Sequence, residues 1–240
     1  AKKVFAYGTS ALRNARNQTA ALDKIRDLTG MGVKLISGDE EARLIYLGVR
    51  SAVKLGQQKT LIVDIGGGSV EFIIGNESEI FWKQSIEIGA QRLLEEYHRH
   101  DPITTEDLEA LHIHFEHNLT GLFAALQSHQ PKTLVGSSGT FDTLSDIYCI
   151  EQGIARDPGA AETPLSFDGF KNIYQQLVAK DRAARMLMPG MIELRVDMIV
   201  VACSLIDYLI AHYPFEGIRV SGYALKEGVL SDIMKAHYSL

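Results

Sequence analysis

A carboxylate, three glycines, a serine and a second carboxylate succeed one another in Asp64-Ile65-Gly66-Gly67-Gly68-Ser69-Val70-Glu71. Those residue types at that spacing suit phosphate chemistry. Without Cβ atoms, the backbone N–H groups of Gly66, Gly67 and Gly68 can close around a phosphate oxygen, and Ser69 adds a hydroxyl donor. Asp64 and Glu71 offer the hard oxygens that hold a Mg²⁺ ion beside a phosphate chain. The alternative is an ordinary tight hairpin whose glycines meet only turn dihedrals. The flanking Asp, Ser and Glu favour the phosphate reading. No lysine follows the glycines, as the Gly-x4-Gly-Lys-Ser/Thr loop requires, and a strand follows rather than the helix of a Gly-x-Gly-x-x-Gly turn.

Three further stretches carry related chemistry. Thr9, Ser10 and Arg13 stand where a strand over 4–7 ends at Gly8 and a short helical piece begins, the end of a strand where α/β proteins place ligands. Glu40 and Glu41 lie in the first turn of a helix beginning at Gly38, either as a site carboxylate or as simple complements of the helix dipole. Gly136, Ser138 and Gly139 lie in Gly136-Ser137-Ser138-Gly139-Thr140, between a strand and a helix expected from Phe141. They read as phosphate or ribose contacts at a helix N-terminus or as close strand–helix packing. Thr140 stands where a nucleophile elbow has its second glycine. His112, His114 and His117 lack metal-ligand spacing on their helix and read as a solvated face.

The elements that must position these residues follow from periodicity. Residues 61–65 are β-branched and apolar, as a strand buried on both faces requires, and 70–74 return as its hairpin partner. A third strand over 79–88 completes an antiparallel meander. Helices are expected over 17–28, stopped by Gly30, then from Gly38, over 90–98, over 105–127 behind a Thr104 cap, over 167–179, over 181–186, over 195–212 and over 224–236. Strands are expected over 33–36 and 218–220, and 156–164 reads as an irregular loop.

The chain has 240 residues, 46% hydrophobic and 22% charged, enough for one large domain or two smaller ones. A net charge of -6 argues against a nucleic-acid polymer or an acidic membrane as partner. Cys149 and Cys203 lie far apart without redox or metal spacing and read as reduced small hydrophobes, which fits a cytoplasmic protein. The first residues do not form a signal-peptide pattern, and the most apolar segment, 198–211, is interrupted by Ser204 and Asp207.

In this order, Tyr7-Gly8-Thr9-Ser10-Ala11-Leu12-Arg13-Asn14-Ala15-Arg16-Asn17, Ile36-Ser37-Gly38-Asp39-Glu40-Glu41-Ala42-Arg43-Leu44-Ile45 and Asp64 to Glu71 resemble the exopolyphosphatase and guanosine pentaphosphate phosphohydrolase (Ppx/GppA) family. Gly136 to Thr140 and Ser221-Gly222-Tyr223-Ala224-Leu225-Lys226-Glu227-Gly228-Val229-Leu230 look like its later signatures. The resemblance implies an α/β fold of the actin-like, Hsp70-like (ribonuclease H-like) two-lobe ATPase superfold, with mixed sheets flanked by helices. It also implies a phosphate chain bound between the lobes with Mg²⁺, Glu41 as catalytic carboxylate, Gly66 to Ser69 as one of two phosphate loops, and a homodimer.

Two departures stand out. Val70 replaces the common Thr, and the family's Asp-x-Gly-Ser-Asn-Ser hairpin has no counterpart. Residues 1–57 are therefore expected to be the C-terminal remnant of lobe I and 58–240 to be lobe II, and the chain alone is expected to be nearly inactive. The implied activity is release of the terminal phosphate of inorganic polyphosphate or of the 5′ γ-phosphate of guanosine pentaphosphate. An ATP-dependent phosphotransferase of the same superfold and a non-catalytic polyphosphate or nucleotide sensor are the competing readings.

Overall fold

The structure, a computed structural model, describes residues 4–157 and 159–238. In chain order the elements are β1 (Ala6–Gly8), α1 (Ser10–Arg13), α2 (Gln18–Thr29), β2 (Val33–Leu35), α3 (Gly38–Ala52), β3 (Thr60–Ile65), β4 (Val70–Gly75) and β5 (Ile80–Ile86). Then follow α4 (Ala90–Tyr97), α5 (Thr105–Asn118), α6 (Thr120–His129), β6 (Thr133–Ser137), α7 (Ser138–Glu151), β7 (Glu162–Thr163), α8 (Phe167–Ala179), α9 (Arg182–Met186), α10 (Ile199–His212), β8 (Gly217–Ser221) and α11 (Leu225–Tyr238).

The strand with the most continuous apolar run takes a central place. β3 sits in a six-stranded sheet of order β5-β4-β3-β6-β8-β7, with β3, β4 and β5 as the antiparallel meander and β6 and β8 parallel to β3. β1 and β2 pair in parallel as a separate two-stranded sheet, Ala6 opposite Val33.

Side chains alternate along β3, so each of its faces meets a different core. Leu61, Val63 and Ile65 pack with Phe72, Leu93, Phe115, Phe141, Phe170 and the buried helix α10. Ile62 points the other way, into a core with Ile73, Val135 and the apolar stripe of α3, including Leu44, Ile45 and Val49. The alternation puts Asp64 on the face of Ile62, and Glu71, its cross-strand partner, on the face of Ile73. Both carboxylates therefore face the side that α3 covers. The boundary expected at residue 57 falls between the two sheets, whereas the apolar stripe of α3 belongs to the core of the larger one.

Most expected elements are found within two residues, and the differences have local causes. The single helix expected over 105–127 is two, because Leu119 leaves helical geometry (φ -101°, ψ 9°) and is fully buried between α5 and α6. Just before it, the Asn118 side chain donates to the His114 carbonyl at 2.8 Å. β6 runs through Ser137 and α7 starts directly at Ser138, whose φ of 74° makes the tight turn, three residues before the helix start expected at Phe141. The last buried helix begins at Ile199 rather than Arg195, and β7 forms inside the stretch expected to be irregular. Cys149 and Cys203 are buried free thiols, and His114 Nδ1 lies 2.7 Å from Tyr97 Oη. Among the described residues no helix is long and apolar enough to cross a membrane.

Candidate active site

Glu41 is delivered by the start of α3. The Ser37 hydroxyl caps that helix by accepting from the Glu40 N–H at 3.1 Å, and the acidic first turn complements the helix dipole. The two adjacent glutamates then part. Glu40 turns outward and holds Arg43 at 2.8 and 2.9 Å. Glu41 is buried, and its Oε2 accepts from Arg13 Nη1 at 3.1 Å. Burial raises the pKa of Glu41, and the Arg13 guanidinium opposes that rise. Arg13 is itself fixed by the Ile36 carbonyl at 2.9 Å.

The glycine turn lies across a cleft of about 610 Å³ whose lining includes Thr9, Ser10, Glu41, Gly66, Gly67, Gly68 and Ser69. None of the three glycines takes a positive φ, so turn dihedrals do not explain them. Close approach does for Gly66 and Gly68, a Cβ on Gly66 sitting 3.0 Å from the Ser69 carbonyl, whereas one on Gly67 would meet only Gln91 Cβ at 3.8 Å. A Cβ on Gly68 would sit 2.6 Å from Ser10 Oγ, and a Cβ on Gly89 would overlap the backbone of Gly67 and Gly68. The turn is clamped to α4 as well, because the Gly66 and Gly67 carbonyls accept from Ala90 and Gln91 N–H at 2.9 and 3.0 Å.

Behind the turn, Asp64 and Glu71 face each other across the β3–β4 pair. Burial first, then the charges of Glu41 and Asp64, push Glu71 up to about 8. Its Oε1 accepts from Ser69 Oγ and Ser85 Oγ, each at 2.7 Å. The Ser69 hydroxyl is thus committed to Glu71, where the sequence suggested a free donor for phosphate. Asp64 is pushed up to about 6 by burial, against the Ser137 hydroxyl that donates to its Oδ2 at 2.7 Å. Among the described residues no group of three or more His, Cys, Asp or Glu side chains is arranged to hold a metal on its own.

The residues of the later stretch separate. Ser138 and Gly139 line a second cleft, also of about 610 Å³, together with Tyr7, Asp142, Arg195 and Lys226. Gly139 makes room for Arg195, whose guanidinium a Cβ would overlap. Gly136 reaches neither cleft; a Cβ there would overlap the Phe141 ring, which is the strand–helix packing weighed above.

Sequence reading missed Glu87, Arg92 and Arg195. Arg92 Nε donates to the Gly68 carbonyl at 2.8 Å, and Glu87 receives Ser10, Arg13 and Arg92. The one local signal was Gly89, which opens a helix directly after the meander and so must bring α4 back against the glycine turn.

A mixed sheet flanked by helices, with a glycine hairpin facing a carboxylate at a helix start, defines an α/β protein of the actin-like superfold. Within it, the chain belongs to the Ppx/GppA phosphatase family, whose sequence model matches residues 1–237. It is 30% identical over 234 residues to a guanosine-5'-triphosphate,3'-diphosphate pyrophosphatase of Photobacterium profundum, covering 98% of this chain and 45% of that protein. The like-named protein of Vibrio vulnificus is 26% identical over the same length, again with 45% of it covered. The chain thus spans less than half the length of these two relatives. The crystal structure of an exopolyphosphatase from Cytophaga hutchinsonii ATCC 33406 superposes with a TM-score of 0.94 at 42% identity, over 97% of this chain and 75% of that one. The Aquifex aeolicus family member superposes at 0.80 with 24% identity, over 98% and 75%.

Proposed function

We propose that the protein is a phosphoanhydride hydrolase that releases the terminal phosphate of inorganic polyphosphate or the 5′ γ-phosphate of guanosine pentaphosphate. The observation that carries this reading is the buried Glu41 carboxylate, held by Arg13 on the wall of the same cleft as Gly66 to Gly68. A carboxylate so placed can take a proton from water as the water oxygen bonds to the terminal phosphorus and the bridging P–O bond breaks, the bridging oxygen leaving on the shortened phosphate chain and the attacked phosphorus departing as orthophosphate. The Gly67 and Gly68 N–H groups stabilise the phosphoryl oxygens without reorganisation, the Gly66 N–H being bonded to the Ser69 carbonyl at 3.0 Å. Names of the similar pyrophosphatases and exopolyphosphatase agree with both substrates.

Mg²⁺ suits the buried pair behind the turn. Glu71 is driven toward its protonated form by burial and by two carboxylate neighbours, a repulsion that a cation relieves. Two carboxylates, with substrate oxygens and water completing the shell, is the usual provision for Mg²⁺. Asp64 and Glu71 would hold the ion, which when bound supplies charge neutralisation along the phosphate chain. In this reading β1 and β2 belong to the first lobe and the six-stranded sheet to the second. The assembly is a homodimer, a cytoplasmic one in keeping with the buried free thiols. The test is orthophosphate release from tripolyphosphate and from guanosine pentaphosphate by the intact protein. Release that Glu41→Gln abolishes supports the reading, and release that survives it removes Glu41 from the role.

A further inference from the structure

Glu87 stands between the end of β5 and the start of α4, bonded to Ser10 and Arg92, both of which line the glycine cleft. Its carboxylate gathers three donors. Ser10 Oγ at 2.7 Å and Arg92 Nη2 at 3.1 Å reach Oε2, and Arg13 Nη2 at 3.2 Å reaches Oε1. Each donor is anchored to the site on its other side: Arg13 on Glu41, Arg92 on the Gly68 carbonyl, and Ser10 against Gly68. A hydroxyl and two guanidinium groups converging at a cleft are the donors that recognise a phosphate oxyanion, and here they converge on a side chain.

Resting on the phosphate-chain reading above, we propose that Glu87 is a specificity-determining residue that occupies the oxyanion position between Ser10, Arg13 and Arg92, so that a phosphate chain displaces it and orthophosphate does not. Its side chain is 44% exposed, which lets it swing into solvent when displaced. Exposed pairs of this kind are individually weak, an opposition that a polyanion overcomes through its further contacts. Orthophosphate competes for the same donors with few other contacts to offset their loss. The geometry therefore favours retention of a chain and loss of the cleaved phosphate.

The test is titration calorimetry of the 240-residue chain with sodium orthophosphate and with sodium tripolyphosphate, in Mg²⁺ buffer, for the unaltered chain, Glu87→Gln and Glu95→Gln. Glu95 lines the same cleft and accepts from Gln91 Nε2 at 2.8 Å, so its substitution removes an equal charge that is bonded to a glutamine and not to Arg13 or Arg92. Glu87→Gln is expected to tighten orthophosphate about 10-fold and tripolyphosphate by less, narrowing the preference for the chain. Glu95→Gln should leave that preference unchanged. If Glu87→Gln leaves both affinities unaltered or weakens both, Glu87 merely holds the arginines and the inference falls, while tripolyphosphate binding by the unaltered chain keeps the phosphate-chain reading. Absence of binding by every form overturns the inference, and the phosphate-chain reading then stands or falls on the release assay.

Discussion

Gly48 of α3 and Gly228 of α11 lie against each other's helix backbone, and neither leaves space for a side chain. A Cβ on Gly48 would overlap the Ala224 carbonyl, and one on Gly228 would overlap the Leu44 carbonyl. Glycine within a helix costs about 1 kcal/mol relative to alanine, so this close crossing must return more than that. It seats α3, and with it Glu41, on the large sheet. Gly48→Ala is expected to destabilise by about 1–3 kcal/mol despite its better helix propensity, because two backbones must separate. A thermal unfolding midpoint equal to or above that of the unaltered protein would refute the crossing.

The adjacent glutamates give an internal comparison for catalysis. Glu41→Gln keeps the shape and the hydrogen bond to Arg13 but loses the base, so kcat in the intact enzyme should fall by about 10²–10⁴ with KM little changed. Glu40→Gln touches a carboxylate engaged with Arg43 outside the cleft and should change kcat less than about 3-fold. Equal small effects would return both residues to the role of helix-start charges.

What the sequence disclosed and what it hid divide along the range of the interactions. The β-branched run of β3, the glycine turn and the acidic start of α3 are local patterns, and they located the meander, the cleft wall and Glu41. Their purposes were less legible. The three glycines looked like phosphate amides or turn formers, whereas Gly68 is required by Ser10, 58 positions away in the chain. Glu87 meets Ser10 across 77 positions, and no local period announces such a contact. The break at Leu119 was hidden because the apolar spacing continues through it while the local geometry does not.

Asp64→Asn tests the metal side of the site. Asp64 is buried and holds the Ser137 hydroxyl, a bond that the isosteric amide can retain, so folding should survive within about 1 kcal/mol. Mg²⁺ prefers anionic oxygen, and losing one of two carboxylates should raise the Mg²⁺ concentration for half-maximal activity of the intact enzyme by about 10-fold or more. An unaltered Mg²⁺ activation curve would make Asp64 a structural residue.

The titration of Glu71 supplies the last prediction. Its folded pKa, pushed up to about 8, lies above the ordinary value of 4.5, so between those values the native chain holds a proton that the unfolded chain has released. Stability from this group is then present below about pH 4.5 and is lost as pH rises toward 8, the reverse of the usual salt-bridged carboxylate. Glu71→Gln stays neutral throughout and retains acceptors for Ser69 and Ser85, so its stability should fall less between pH 5 and 8, by at least about 1 kcal/mol in relative terms. Titrating groups remote from Glu71 affect both forms alike, which makes the difference between the two curves a reading of Glu71 and the carboxylates coupled to it. Added Mg²⁺ should recover stability in the unaltered protein at pH 8, where the carboxylate is ionising, and do little for Glu71→Gln. Chemical denaturation of both forms at pH 5, 6.5 and 8 measures this directly. Parallel curves would mean that Glu71 is ionised in the fold at neutral pH and that its neighbours do not repel it.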